Sequence, residues 1–168
     1  VYSWENFGHD WTIDILDQLP LQNKIHQKTD YGILPDFSQS DPKNDIIFTW
    51  NGTTSGVRIK NTDWISNQRS GLTICDATSA AFSMKLDWPK LDLTTKSWQT
   101  VLGSEAAHGM IILSPRAIER LENFTPSWPI PKVFRLANNQ NFLQDIFNGV
   151  TINTPSLLCA EDVLSALN

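Results

Sequence analysis

Two short, unbroken apolar runs, Asp45-Ile46-Ile47-Phe48-Thr49-Trp50 and Leu72-Thr73-Ile74-Cys75, constrain this chain more than anything else in it. Continuous runs of this kind fit strands buried on both faces of a sheet, as parallel strands usually are. Segments with helical spacing lie around them. Short apolar runs alternating with helical patterns predict an α/β fold, in which a mostly parallel sheet is flanked by helices in three layers.

The rest of the chain fills in that plan. Val1–Trp4 reads as a strand. After Gly8-His9-Asp10, the residues Trp11, Ile15, Leu16 and Leu19 fall on one helical face, and Pro20 ends that helix. Lys24–Lys28 is a second candidate strand, and Leu91–Ser97 reads as a strand of mixed polarity. Gly109–Leu113 is another strand, followed by Ser114 as N-cap, Pro115 at the first helical position and a helix running on to Glu122. Pro126–Pro131 reads as a loop and Phe142–Phe147 as a weak helical turn. Thr154-Pro155 opens a last helix over Ser156–Leu167. We expect a single domain over 1–168. The chain opens without Met and ends in mid-helical pattern, so we expect it to be part of a longer protein.

Bulk properties narrow the partners. With 168 residues, 40% hydrophobic and 18% charged, the chain suits one globular domain with a sizeable core. A net charge of −5 argues against nucleic acid, which needs clustered Lys and Arg. No run of about 18 apolar residues suggests a membrane span. No charged-then-apolar pattern opens the chain, and a cytoplasmic setting is expected. Cys75 and Cys159 both sit in apolar runs, which favours buried free thiols over a disulfide. Asn51-Gly52-Thr53 matches a glycosylation pattern but reads as a turn. No Cys/His spacing points to a metal, and no Gly-rich phosphate loop or Gly-x-Ser-x-Gly elbow is present.

Several residues carry chemistry of their own. Asp76 ends a buried strand, and ligands of open α/β sheets gather at the carboxyl ends of strands. An acid there can pair with a protonated pyridine nitrogen, although alone it reads as a helix cap or a loop ion pair. The following Ala77-Thr78-Ser79-Ala80-Ala81 leaves room for a ring and supplies hydroxyls. Asn51-Gly52-Thr53-Thr54-Ser55-Gly56 follows the first apolar run as a polar turn at the same sheet edge. Trp11 offers an indole face for stacking, although most of the seven tryptophans must be structural. Asn153-Thr154-Pro155 combines an amide, a hydroxyl and a helix start, which favours anions or simple capping. His108, just before a strand, reads as a structural histidine.

These motifs, in this order, resemble the phosphoserine aminotransferase family, class V members of the fold-type I pyridoxal-phosphate enzymes. The likeness is carried by Thr49–Arg58, Ile74–Phe82, Ser97-Trp98-Gln99, Gly103–Gly109, Ile112–Arg116 and Ile152–Ser156, and it spans nearly the whole chain. The resemblance implies that Trp11 stacks on the pyridine ring, Thr53 bonds its phenolic oxygen and Asp76 holds its nitrogen. Gln99, with Thr78 or Ser79, would bind the phosphate. Asn153 and Thr154 would reach the phosphate of a neighbouring subunit, so that the site forms in a homodimer. The implied reaction moves an amino group from glutamate to 3-phosphohydroxypyruvate in serine biosynthesis. The substrates are thus an amino acid and a phosphorylated 2-oxo acid.

The sequence departs from the family pattern in two ways. The residue after Gln99 should be the Schiff-base lysine and is Thr100. A threonine hydroxyl forms no imine and shuttles no proton as an amine does. Covalent attachment of pyridoxal phosphate is therefore not expected, and little or no transamination is expected of this chain. Lys96 does not replace the missing amine, because four extended residues span about 13 Å. The second departure is length: the family's N-terminal segment and C-terminal small domain are absent here. Two alternatives stand beside an inactive piece of a cofactor domain. One is a non-catalytic module that binds pyridoxal phosphate or forms the dimer; the other, less well supported by the motifs, is a class V lyase.

Overall fold

The computed structural model describes residues 1–168. Its elements are β1 (Tyr2–Ser3), α1 (Asn6–Ile13), β2 (Gln27–Lys28), β3 (Ile46–Thr49), β4 (Thr73–Asp76), β5 (Leu93–Ser97), β6 (Gly109–Leu113), α2 (Pro115–Asn123), β7 (Ala137–Asn138), β8 (Asn141–Phe142), α3 (Gln144–Phe147) and α4 (Leu157–Leu167). The main sheet has the order β3-β4-β5-β6. The first three strands run parallel, with Thr49 opposite Asp76 and Asp76 opposite Thr95. β6 returns antiparallel to β5. This is the α/β plan expected from the apolar runs, and both runs lie where the sequence put them.

Ile46, Phe48 and Cys75 face a core that also holds Tyr2, Trp4, Trp50, Ile59, Ile65 and Leu91. Both cysteines are free and buried. Burial, and then the charge of neighbouring Asp76, pushes the Cys75 thiol well above its ordinary value. Phe37 stacks on Trp64 at 4.5 Å between ring centroids, extending the core beneath β1.

The helices differ in detail from the sequence pattern. The first begins at Asn6, ahead of Trp11, because the Glu5 carboxylate caps it by accepting the Gly8 N–H at 2.7 Å. Gly8-His9-Asp10 is therefore helical. Gly8 packs against β1, where a Cβ would lie 3.4 Å from Ser3. The buried stripe is Gly8, Thr12 and Ile15, whereas Leu19 is exposed and Asp14–Gln18 forms a π-helical turn. The second candidate strand shrinks to Gln27–Lys28, paired parallel with Tyr2–Ser3. The last helix starts at Leu157, with Ser156 rather than Thr154 as its cap.

The parallel crossovers 50–72 and 77–92 contain turns and a short 3-10 helix but no α-helix. The second crossover can lie flat on the sheet because Ala77, Ala80 and Ala81, all buried, present only methyl groups. The first ends at Gly71, whose close approach to the chain before β3 leaves no room for a side chain. A Cβ there would stand 2.0 Å from the Asn44 carbonyl oxygen. Gly71→Ala is expected to lower stability by about 1–3 kcal/mol, read as a lower urea midpoint at unchanged slope. An unchanged midpoint would show that the backbone yields freely there.

A buried carboxylate ties this region together. Asp92, 2% exposed, accepts from Arg69 Nε and Nη2, Arg116 Nη1, Ser114 Oγ and the Thr73 N–H. It joins the start of β5 to β4 and to the cap of α2. No helix is long and apolar enough to cross a membrane. No group of three or more His, Cys, Asp or Glu side chains is placed to hold a metal ion.

Candidate functional site

Parallel strands end at the same sheet edge, so whatever follows β3, β4 and β5 is brought together. Here that edge carries a cleft of about 280 Å³. β3 and the turn after it supply Thr49, Asn51 and Thr53. β4 and its turn supply Asp76, Thr78 and Ser79, and β5 with its turn supplies Ser97, Gln99 and Thr100. Phe7 from α1 is the single apolar wall. No Lys, Arg or His lines the cleft, and Asp76 is its only charge.

Asp76 is held in place on both oxygens. Oδ1 accepts from the Thr78 N–H at 3.0 Å and from the Thr78 hydroxyl at 2.6 Å. Oδ2 accepts from Trp11 Nε1 at 3.2 Å. The Thr53 and Ser79 hydroxyls meet at 2.6 Å, linking the turns after β3 and β4. Trp11 does not line this cleft. It borders an adjoining open pocket of about 440 Å³, lined by Phe7, Ile15 and Leu19 on one hand and by Asp10, Asp14, Gln18 and Asp76 on the other. The two spaces share Phe7 and Asp76.

Thus Asp76, Thr53, Thr78, Ser79, Gln99 and Thr100 converge, as the motif order suggests, and Trp11 reaches them through Asp76. Asn153 and Thr154 lie away from the cleft, in the segment before α4. That segment is held by His108, whose Nε2 accepts the Ser156 N–H at 3.2 Å while its ring packs on Trp98 at 4.6 Å. His108 is therefore structural, although its Nδ1 is buried without a partner.

Lys96 is excluded by strand alternation rather than by distance along an extended chain. β5 stops at Ser97 and a turn follows, so Thr100 is not on the strand. Ser97 lines the cleft; Lys96 points to the opposite face. Its ammonium sits 3.8 Å from the centre of the Phe82 ring, and burial lowers its pKa. Sequence reasoning did not pick out Phe7, Thr49, Asn51 or Ser97 as site residues. Asn51 and Ser97 stood inside recognised motifs. Thr49 also opens one of those motifs but closes an apolar run, which gives it no polar signal of its own, and Phe7 belongs to the part of α1 that precedes the periodic stripe starting at Trp11.

No family model matches the chain. Two curated relatives do, the phosphoserine aminotransferases of Methanosarcina mazei and Methanosarcina barkeri. Each is 54% identical over 167 residues, covering 99% of this chain. This chain is homologous to phosphoserine aminotransferases. It spans 45% of the length of each of those two relatives. Among solved structures, a phosphoserine aminotransferase from Cytophaga hutchinsonii aligns with a TM-score of 0.69 at 21% identity, covering 99% of this chain and 46% of that one. An alanine–glyoxylate aminotransferase from Nostoc aligns with a TM-score of 0.73 at 14% identity and 46% coverage of its own chain. At those identities the solved structures establish the shared aminotransferase fold, whereas the tie to phosphoserine aminotransferases rests on the two Methanosarcina relatives.

Proposed function

We propose that residues 1–168 form part of the cofactor-binding large domain of a phosphoserine aminotransferase-like protein. In this reading the cleft seats pyridoxal 5'-phosphate without a covalent bond, and the chain catalyses little or no transamination. The observation that carries it is the meeting of Asp76, Ser79, Gln99 and Thr100 in one cleft at the strand ends. The donor set fits the cofactor. One carboxylate matches a protonated ring nitrogen, and hydroxyls and an amide match a phosphate and a phenolic oxygen. When bound, the cofactor supplies a ring that draws off negative charge developing on an attached amino compound. Asp76 would hold the protonated ring nitrogen, and Thr78, which donates to it from its N–H and its hydroxyl, orients Asp76. Thr53 and Ser79, already bonded to each other, would offer hydroxyls to the ring oxygen and the phosphate. Thr100 offers a hydroxyl where an amine would grip the ring and move the proton.

The reaction that Thr100 would disable here is amino transfer from glutamate to 3-phosphohydroxypyruvate, a step of serine biosynthesis, in a cytoplasmic homodimer. Asn153 and Thr154, which lie away from this cleft, would then serve the partner's phosphate. Exposed apolar side chains on β6 (Met110, Ile111, Ile112) and on α4 (Leu157, Leu158) supply surface for such association and for the remaining length of the relatives. The loss of the lysine also supports a second reading, a module that binds the cofactor or assembles the dimer without turnover.

Asp76→Asn tests the seat. The charged hydrogen bond to the ring nitrogen is lost, so affinity for pyridoxal phosphate is expected to fall about 10- to 100-fold in equilibrium dialysis. Equal binding by wild type and variant would remove Asp76 from the site. Measured binding with no amino transfer is the outcome both readings expect; transfer by the chain alone would overturn the assignment of Thr100 as inactivating.

A further inference from the structure

Six buried side-chain polar atoms in this fold have no hydrogen-bond partner: Trp4 Nε1, Glu5 Oε2, Thr49 Oγ1, Trp50 Nε1, Thr73 Oγ1 and His108 Nδ1. Only one of them, Thr49 Oγ1, belongs to a residue that lines the cleft. Thr49 is 3% exposed and ends β3 directly opposite Asp76 in the ladder. The strand backbone anchors it there, for Trp50 N–H donates to the Asp76 carbonyl at 2.8 Å. An orphaned hydroxyl costs free energy in a buried setting. Valine, of the same shape and common in strands, would avoid that cost. The chain itself supplies this hydroxyl with no partner.

We infer that the Thr49 hydroxyl is a ligand-binding group of the cleft, and that it bonds an oxygen or nitrogen at the end of a planar heteroaromatic ligand whose protonated ring nitrogen faces Asp76. The inference rests on the reading of the cleft as a pyridine seat. It adds a residue that neither the motifs nor the resemblance assigned. The bond forms directly or through one water, because a hydroxyl can both donate and accept. Thr49 and Asp76 together define the carboxylate end of the cleft, while Ser79 and Gln99 stand in the turns after β4 and β5.

The test compares wild type, Thr49→Val and Thr49→Ser in binding of pyridoxal 5'-phosphate by equilibrium dialysis and in thermal unfolding without ligand. Thr49→Val is expected to bind about three- to tenfold more weakly, yet to melt at or above the wild-type temperature, since it removes an unpaired polar atom. Thr49→Ser is expected to keep wild-type affinity. These opposite signs in one variant separate a binding hydroxyl from a packing residue. Equal affinity of Thr49→Val and wild type would overturn the inference and leave the cleft reading standing. So would a Thr49→Ser variant as weak as Thr49→Val, because shape rather than the hydroxyl would then matter. A ligand-free Thr49→Val protein of clearly lower melting temperature would overturn the premise that the hydroxyl lacks an internal partner. Failure of the wild type to bind would overturn both the inference and the cleft reading.

Discussion

Replacing Thr100 by lysine is expected to convert reversible cofactor binding into covalent retention. Treated with pyridoxal phosphate and borohydride, Thr100→Lys should carry one cofactor per chain on the peptide containing residue 100. The wild type should carry none. Position 100 lies in the turn after β5 and shares a cleft with Asp76, Ser79 and Gln99. Pyridoxal phosphate held by those groups would have its aldehyde within reach of an amine at that position. Pre-positioning of this kind is worth effective concentrations of about 10⁵–10⁸ M in well-oriented cases. The nearest sequence alternative, Lys96, is on the other face of β5 with its ammonium on the Phe82 ring. Mass spectrometry of the reduced, digested protein decides the matter. Label on Lys96 in the wild type would contradict the strand alternation that excludes it. A folded Thr100→Lys protein that binds the cofactor but takes no label would place the aldehyde elsewhere.

The largest loss of stability is expected at Asp92. Its carboxylate is 2% exposed and serves two guanidinium groups, a helix-capping serine and a strand N–H. Asp92→Ala leaves Arg69, whose side chain is 7% exposed, as an uncompensated buried charge. It also frees the Ser114 cap of α2 and the Thr73 N–H. Breaking a buried pair from one side costs about 3–5 kcal/mol. In a domain of this size that corresponds to a fall in melting temperature of about 6–20 °C. The exposed pair Arg120–Asp45, with both side chains more than 40% exposed, provides the control. Arg120→Ala there should cost about 1 kcal/mol or less. Comparable losses at the two pairs would mean that burial does not govern the Asp92 network.

Much of the site was legible because its residues stand at punctuation marks. Asp76 follows an apolar run, the Asn51–Gly56 turn follows another, and Ser97-Trp98-Gln99 closes a third strand. Parallel strands that share one edge bring such marks together without further information. The helices were less legible, because caps act from outside the periodic stripe. Glu5 opened α1 five residues before the expected start at Trp11. The crossovers were not helical at all. Their buried surface comes from alanine methyls and scattered apolar residues, so no period announces it.

The sequence by itself determined that an acid and hydroxyl-rich turns sit at strand ends, and that position 100 has no amine. These depend on residue identity and on local order along the chain. Only the tertiary structure decided that Lys96 is shut away, that Trp11 meets the cleft through Asp76, and that Thr49, whose hydroxyl has no partner, is one of the residues lining the same cleft. Those facts depend on strand alternation, ladder register and what each buried polar atom finds across the fold, and such partners are separated by many residues of chain.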